Sequence, residues 1–127
     1  MPHHVLTLLD IPADQLPALI ARGGEMKAER TISTVLANKT LALIFEKSST
    51  RTRVSFEVAV NELGGKSLFM TPSESQLGRS EPLKDTARCL SRYTHGMIVR
   101  TFAQSNLKEL SRYSRIPVIN ALSDAYH

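Results

Sequence analysis

The stretch "TLALIFEKSSTRTRVSFEVAVNELGG", Thr40 to Gly65, decides how the chain is built. It opens on "TLALIF", Thr40 to Phe45, a nearly unbroken apolar run typical of a strand covered on both faces. From about Thr52 to Leu63, Phe56, Ala59, Val60 and Leu63 share one side of a predicted helix, and Gly64-Gly65 gives it a C-terminal stop. Between strand and helix stand Ser49, Thr50, Arg51, Thr52 and Arg53, residues a core has no use for. Where a chain turns into a helix, the first backbone N–H groups lack internal partners and carry partial positive charge. Hydroxyls add donors there, and arginine forks match phosphate oxygens. The helix dipole contributes about 0.3–1 kcal/mol, whereas losing one member of a buried charged pair costs about 2–5 kcal/mol, so arginine dominates such a site. Taken alone, the five residues fit an ordinary helix cap flanked by solvated arginines better than a ligand site; their place after a buried strand in an α/β pattern weakens that reading.

Outward from this stretch, strand and helix patterns alternate. Asp10 is placed to cap a first helix from about Pro12 to Glu29, where Leu16, Leu19, Ile20, Gly23 and Met26 recur at helical spacing. "TISTVLANK" reads as a connector in which Asn38 accepts a left-handed turn. Downstream, "KSLFM" is a second strand, and Thr71 to Glu81 carries turn formers and reads as a long loop. Pro82 opens a helix running through Tyr93, "GMIVRT" is a third strand, Asn106 to Tyr113 a further helix, and "PVINAL" a fourth strand. Apolar strands joined by helical crossovers predict an α/β domain, a parallel four-stranded sheet with helices on both faces. In such a sheet ligands gather at the carboxyl ends of the strands. Phe45 leads there into the Ser/Thr/Arg cluster, Val99 into Arg100, and Leu122 into Ser123 through His127.

The bulk properties narrow the function classes. The 127 residues make one domain, 42% hydrophobic and 22% charged, as in ordinary globular proteins. The net charge of +4 is spread along the chain without a basic run or interleaved aromatics, which disfavours nucleic acid. The single cysteine, Cys89, excludes an internal disulfide and fits a reducing compartment. Within the helical "DTARCLSRY" it reads as a small buried apolar residue rather than a nucleophile. The start, "MPHHVLTLLDIPADQL", has no basic leader and only a short apolar run, so the cytoplasm is expected, with no membrane contact. Neither G-x-G-x-x-G nor G-x-x-x-x-G-K-S/T occurs, so no dinucleotide or nucleoside triphosphate is indicated. His3, His4 and His95 lack metal-ligand spacing.

"FEKSSTRTRVSFEVAVNELGG" closely resembles the carbamoyl-phosphate loop of the transcarbamoylases, whose shared core is Ser-Thr-Arg-Thr-Arg. "QLGRSEPLKDTARCLSRY", "GMIVRT" and "PVINALSDAYH" match the same family in order and spacing, so the resemblance covers nearly the whole chain. Glu46-Lys47, Gln76 in "SQLG" and "LKDTAR" resemble its ornithine branch more than its aspartate branch. The resemblance implies that residues 1–127 form a carbamoyl-phosphate-binding domain, the amino-acid-binding domain being absent from this chain. It implies phosphate binding by Ser49, Thr50, Arg51 and Thr52, and contact of Arg100 and His127 with the carbamoyl group. Gln76 would be presented to a neighbouring subunit's site, in a homotrimer or multiple of trimers. Arg51, Arg100 and His127 would act catalytically, whereas Arg53 serves structure. Arg79 stands where aspartate-specific relatives carry a phosphate-binding lysine from the neighbour. The implied reaction is carbamoyl transfer to the δ-amine of L-ornithine, giving L-citrulline and phosphate in arginine metabolism, with no metal or organic cofactor. The family's Asp-x-x-x-Ser-Met-Gly and His-Cys-Leu-Pro motifs are absent, so this chain is expected to bind carbamoyl phosphate weakly and to make no citrulline unaided. Another amine acceptor (aspartate, putrescine or an acylated ornithine) and a stand-alone anion-binding module are the competing readings.

Overall fold

The computed structural model describes residues 3–46, 49–70, 83–101 and 103–123. Four parallel strands, β1 (Thr40–Phe45), β2 (Lys66–Met70), β3 (Gly96–Arg100) and β4 (Val118–Leu122), lie in the order β2-β1-β3-β4. Helices α1 (Leu16–Glu29), α2 (Thr50–Glu62), α3 (Leu83–Tyr93) and α4 (Gln104–Tyr113) alternate with them. The chain steps from β1 outward to β2, then crosses back over β1 to β3 and on to β4. Right-handed crossovers running in opposite directions put their helices on opposite faces. Two buried clusters record this. Ala42, Ile44, Met97, Val99 and Val118 pack under α3 and α4 through Leu83, Ala87, Leu90, Leu107 and Leu110. On the other face, Leu43, Phe45, Ile98 and Ala121 pack under α2 through Val60, with Phe56 at the margin. The expected α/β architecture, with helices on both faces, is the observed one.

Several boundaries move, each for a local reason. Helix α1 begins at Leu16 rather than Pro12, which puts Pro17 in its first turn. There the missing proline N–H leaves no helical bond unmade. Asp10 instead closes a capping box with Thr7 around a short 3-10 turn, Leu8–Asp10. Helix α2 starts at Thr50 rather than Thr52 because Ser49 is extended (φ −162°) and its Oγ accepts the Thr52 N–H at 3.3 Å. It ends in a Schellman arrangement: Gly64 takes φ +88°, its N–H reaches the Asn61 carbonyl, and Gly65 N–H reaches that of Val60. Asn38 adopts the left-handed conformation expected of it. Helix α4 begins at Gln104 rather than Asn106. The stretch Thr71 to Glu81 and Pro82 lie outside the described residues.

One expectation fails, and one helix lies apart from the core. Cys89 is exposed, because Leu83, Thr86, Ala87 and Leu90 turn the inner face of α3 to the sheet and leave position 89 on the outer one. Helix α1 buries none of its residues; Leu19 and Ile20 are exposed, while Leu16 and Met26 are half-buried. None of the described helices is long and apolar enough to cross a membrane.

The amino terminus is tied to the edge of the sheet. Val5 bridges Ile119 in parallel, donating to the Val118 carbonyl and accepting from the Asn120 N–H. Beside it, the Val118 N–H donates to His4 Nδ1 at 2.9 Å, which requires that nitrogen to be unprotonated. Burial pulls the His4 pKa down from the ordinary 6.5, outweighing the upward pull of Asp10. The unfolded chain therefore binds the proton more readily than the folded one. The stabilisation is fully present above the ordinary histidine range and is lost as pH falls through the lowered value. The protection of the Val118 and Asn120 amides from exchange, relative to the intrinsic rate, should fall as pH drops below the ordinary histidine value of about 6.5, and a His4→Gln chain should lose that dependence.

Candidate functional site

Strand order locates the site before any side chain is considered. After β1 the chain departs towards β2, and after β3 it departs towards β4 on the other side. The carboxyl ends of β1 and β3 thus flank the point where the winding reverses, the place where open α/β sheets open a crevice. Phe45 and Arg100, the last residues of those strands, are paired in register. Ser49 to Thr52 follow β1, so the loop and the strand-end arginine meet at this point.

The loop contributes a helix start. With Ser49 as the cap, Thr50, Arg51 and Thr52 occupy the first turn of α2. The Ser49 Oγ satisfies the Thr52 amide, and the Arg53 N–H makes the first helical bond, to the Ser49 carbonyl. The amides of Thr50 and Arg51 remain as donors without helical partners, suited to an anion. Thr50 and Arg51 are exposed, and no hydrogen bond or ion pair holds the Arg51 side chain among the described residues. Arg53 differs. Its Nε pairs with Glu57 at 3.2 Å and its guanidinium lies 3.5 Å from the Phe69 ring centroid, which fits the structural part expected of it.

The strand end contributes a charge. Half-buried Arg100 donates from Nη1 to Thr52 Oγ1 at 2.9 Å, joining β3 to the loop across the crevice. Its Nε is buried and has no partner among the described residues. An unmade buried bond of this kind is expensive, about 1–3 kcal/mol, and at the mouth of the crevice it leaves a charged donor available to an incoming anion. Leu122, beside Arg100 across a register shift, holds φ +136°, a conformation that a leucine adopts only under strain, at the same rim.

Of the residues expected at the site, Ser49, Thr50, Arg51, Thr52 and Arg100 are brought together; Gln76, Arg79 and His127 lie outside the described residues. One group joins them that sequence reasoning noticed only as a branch marker. The Glu46 carboxylate accepts from the Thr101 hydroxyl, and from Asn106 Nδ2 at 3.5 Å. Its signal was an acid immediately after the apolar run of β1. Elsewhere, Arg88, Ser91, Arg92, Tyr113 and Arg115 line a cavity of about 150 Å³ between α3 and α4. It sits where those helices lead back into β3 and β4, at the amino end of the strands and away from the crevice. Among the described residues no His, Cys, Asp and Glu group could hold a metal ion.

Known proteins share both sequence and fold. A family model described as aspartate/ornithine carbamoyltransferase, carbamoyl-P binding domain, matches residues 3–127. An ornithine carbamoyltransferase of Oleidesulfovibrio alaskensis is 56% identical over 127 residues, taking in 100% of this chain and 42% of that protein. The solved anabolic ornithine carbamoyltransferase of Campylobacter jejuni superposes with a TM-score of 0.88 at 46% identity, over 97% of this chain and 40% of that one. For the ornithine carbamoyltransferase of Burkholderia thailandensis the TM-score is 0.88 at 40% identity, over 95% of this chain and 43% of that one. The chain spans less than half the length of these relatives.

Proposed function

The chain belongs to the aspartate/ornithine carbamoyltransferase family through its carbamoyl-phosphate-binding domain, and we propose that it is the carbamoyl-phosphate-binding half of an ornithine carbamoyltransferase. The observation that carries this reading is the bond from Arg100 Nη1 to Thr52 Oγ1, with Arg100 Nε left buried and unpartnered beside a helix start. Carbamoyl phosphate presents both groups this arrangement suits, a dianionic phosphate and a polarisable carbonyl.

In this reading Ser49, Thr50, Arg51 and Thr52 hold the phosphate through hydroxyls, amides and one guanidinium. Arg100, with His127, faces the carbamoyl oxygen. The neutral δ-amine of ornithine attacks the carbamoyl carbon, the carbon–oxygen bond to phosphate breaks, and the amine proton is released. No protein nucleophile takes part. The domain holds the acyl group close to the amine, stabilises the charge gathering on the carbonyl oxygen, and neutralises the departing phosphate. Ornithine as acceptor is supported by relatives bearing that name, and in this reading its site lies in a domain outside this chain. Gln76 from a neighbouring subunit would complete the pocket in a homotrimer, working in the cytoplasm in arginine biosynthesis.

Calorimetry tests the phosphate site. Carbamoyl phosphate should bind this chain, and Arg51→Ala should weaken it about 10- to 100-fold, since a hydrogen bond to a charged group contributes about 1.5–3 kcal/mol. Equal affinity in parent and variant removes Arg51 from the site.

A further inference from the structure

We propose that Glu46 is a positioning residue for Arg100, an inference that rests on the carbamoyl-phosphate reading and adds a part to it. Glu46 grips the end of β3 twice. Its backbone N–H donates to the Arg100 carbonyl at 2.8 Å. Its carboxylate accepts the hydroxyl of the next residue, Thr101, which is fully buried. Asn106, in the first turn of α4, donates to both Thr101 Oγ1, at 3.1 Å, and Glu46 Oε1, at 3.5 Å. The main chain on either side of the Arg100 carbonyl is thereby fixed to the end of β1, the strand that feeds the Ser/Thr/Arg loop.

That attachment sets where the guanidinium can reach. Arg100 leaves the sheet beside a register shift, where the β3–β4 ladder alone does not fix its direction. Thr101 continues the tie to β4 through its N–H on the Leu122 carbonyl at 3.2 Å. Glu46 forms no ion pair with Arg100, whose Nη1 goes to Thr52. Its charge alone opposes a dianion at the crevice. A carboxylate in that place is explained by the bonds it accepts.

The two roles separate experimentally. Glutamine can still accept the Thr101 hydroxyl and pair with a reoriented Asn106 amide, but carries no charge. Carbamoyl phosphate titrated calorimetrically into the full chain should bind Glu46→Ala about tenfold more weakly than the parent, and Glu46→Gln within about twofold of it. Thr101→Val should weaken binding as Glu46→Ala does, and the double variant should be no weaker than either single one. Thr101→Val also serves if Glu46→Ala does not fold. Parent-like affinity in Glu46→Ala or Thr101→Val overturns the inference, even with a lowered melting temperature, because placement of Arg100 is then unaffected. Tighter binding by both Glu46 variants assigns the residue's effect to charge and overturns it too, as does a Glu46→Gln as weak as Glu46→Ala. Where the parent binds and Arg51→Ala does not, these results bear on Glu46 alone. Failure of the parent to bind overturns the carbamoyl-phosphate reading and this inference together.

Discussion

Arg100→Met should lose carbamoyl-phosphate binding by a factor of roughly 30 to several thousand, without losing thermal stability. The factor follows from about 2–5 kcal/mol for removing one partner of a desolvated, hydrogen-bonded charge pair. Methionine keeps most of the stem that packs at the end of β3, so the substitution removes the guanidinium and little else. In the unliganded chain that guanidinium contributes one bond, to Thr52 Oγ1, and leaves its buried Nε unsatisfied. The two effects are of similar size, about 1–3 kcal/mol each, and opposite in sign. The melting temperature of the variant should accordingly stay within a few degrees of the parent's. Added ligand separates them. At about a hundred times the parent's dissociation constant the parent gains about 2.7 kcal/mol, while the variant gains less than about 1 kcal/mol. A variant that binds within a few-fold of the parent would move the site away from the strand-reversal point.

That contrast also shows what was legible from residues alone. "TLALIF" could be bounded to the residue, because an apolar run between Lys39 and Glu46 has one buried solution. The loop and Arg100 could be assigned to one crevice because parallel strands share a direction, whatever their order. The order itself, and hence the reversal between β1 and β3, needed the fold. Residues joined across 55 and 60 positions, as Thr101 and Asn106 are to Glu46, leave no periodic trace in a sequence. At the start of α1, Asp10 looks like a cap, but Pro17 is the better marker, because a proline six positions into a helix breaks a bond that one in the first turn does not. The apolar spacing of α1 does specify a helix, but spacing does not say what a face packs against, and Leu19 and Ile20 stay exposed in this chain. For Cys89, residue type alone points inward. Its helical phase relative to Ala87 and Leu90 points outward, and phase is the better guide.

The same asymmetry between faces predicts where the domain is most easily broken. Leu43 is fully buried on β1, opposite Phe69 on one neighbour and Ile98 on the other. Its cluster contains few buried residues, and Val60 is the one buried residue that α2 contributes to it. The opposite face is thicker, with α3 and α4 both inserted. Leu43→Ala should therefore destabilise the chain by about 2–5 kcal/mol, the range for emptying a leucine site in a packed core. Against a typical total of about 5–15 kcal/mol this is a large fraction. The urea midpoint should fall with little change in slope. Because α2 carries Thr50 to Thr52 in its first turn, the loosened contact should also reach the anion site. Carbamoyl-phosphate affinity, measured under conditions where the variant remains folded, should drop several-fold. Leu90→Ala, buried on the thick face in α3, which carries none of the site residues, should lose comparable stability and keep its affinity. Equal loss of affinity in both variants would mean that the site depends on the whole core rather than on the seating of α2.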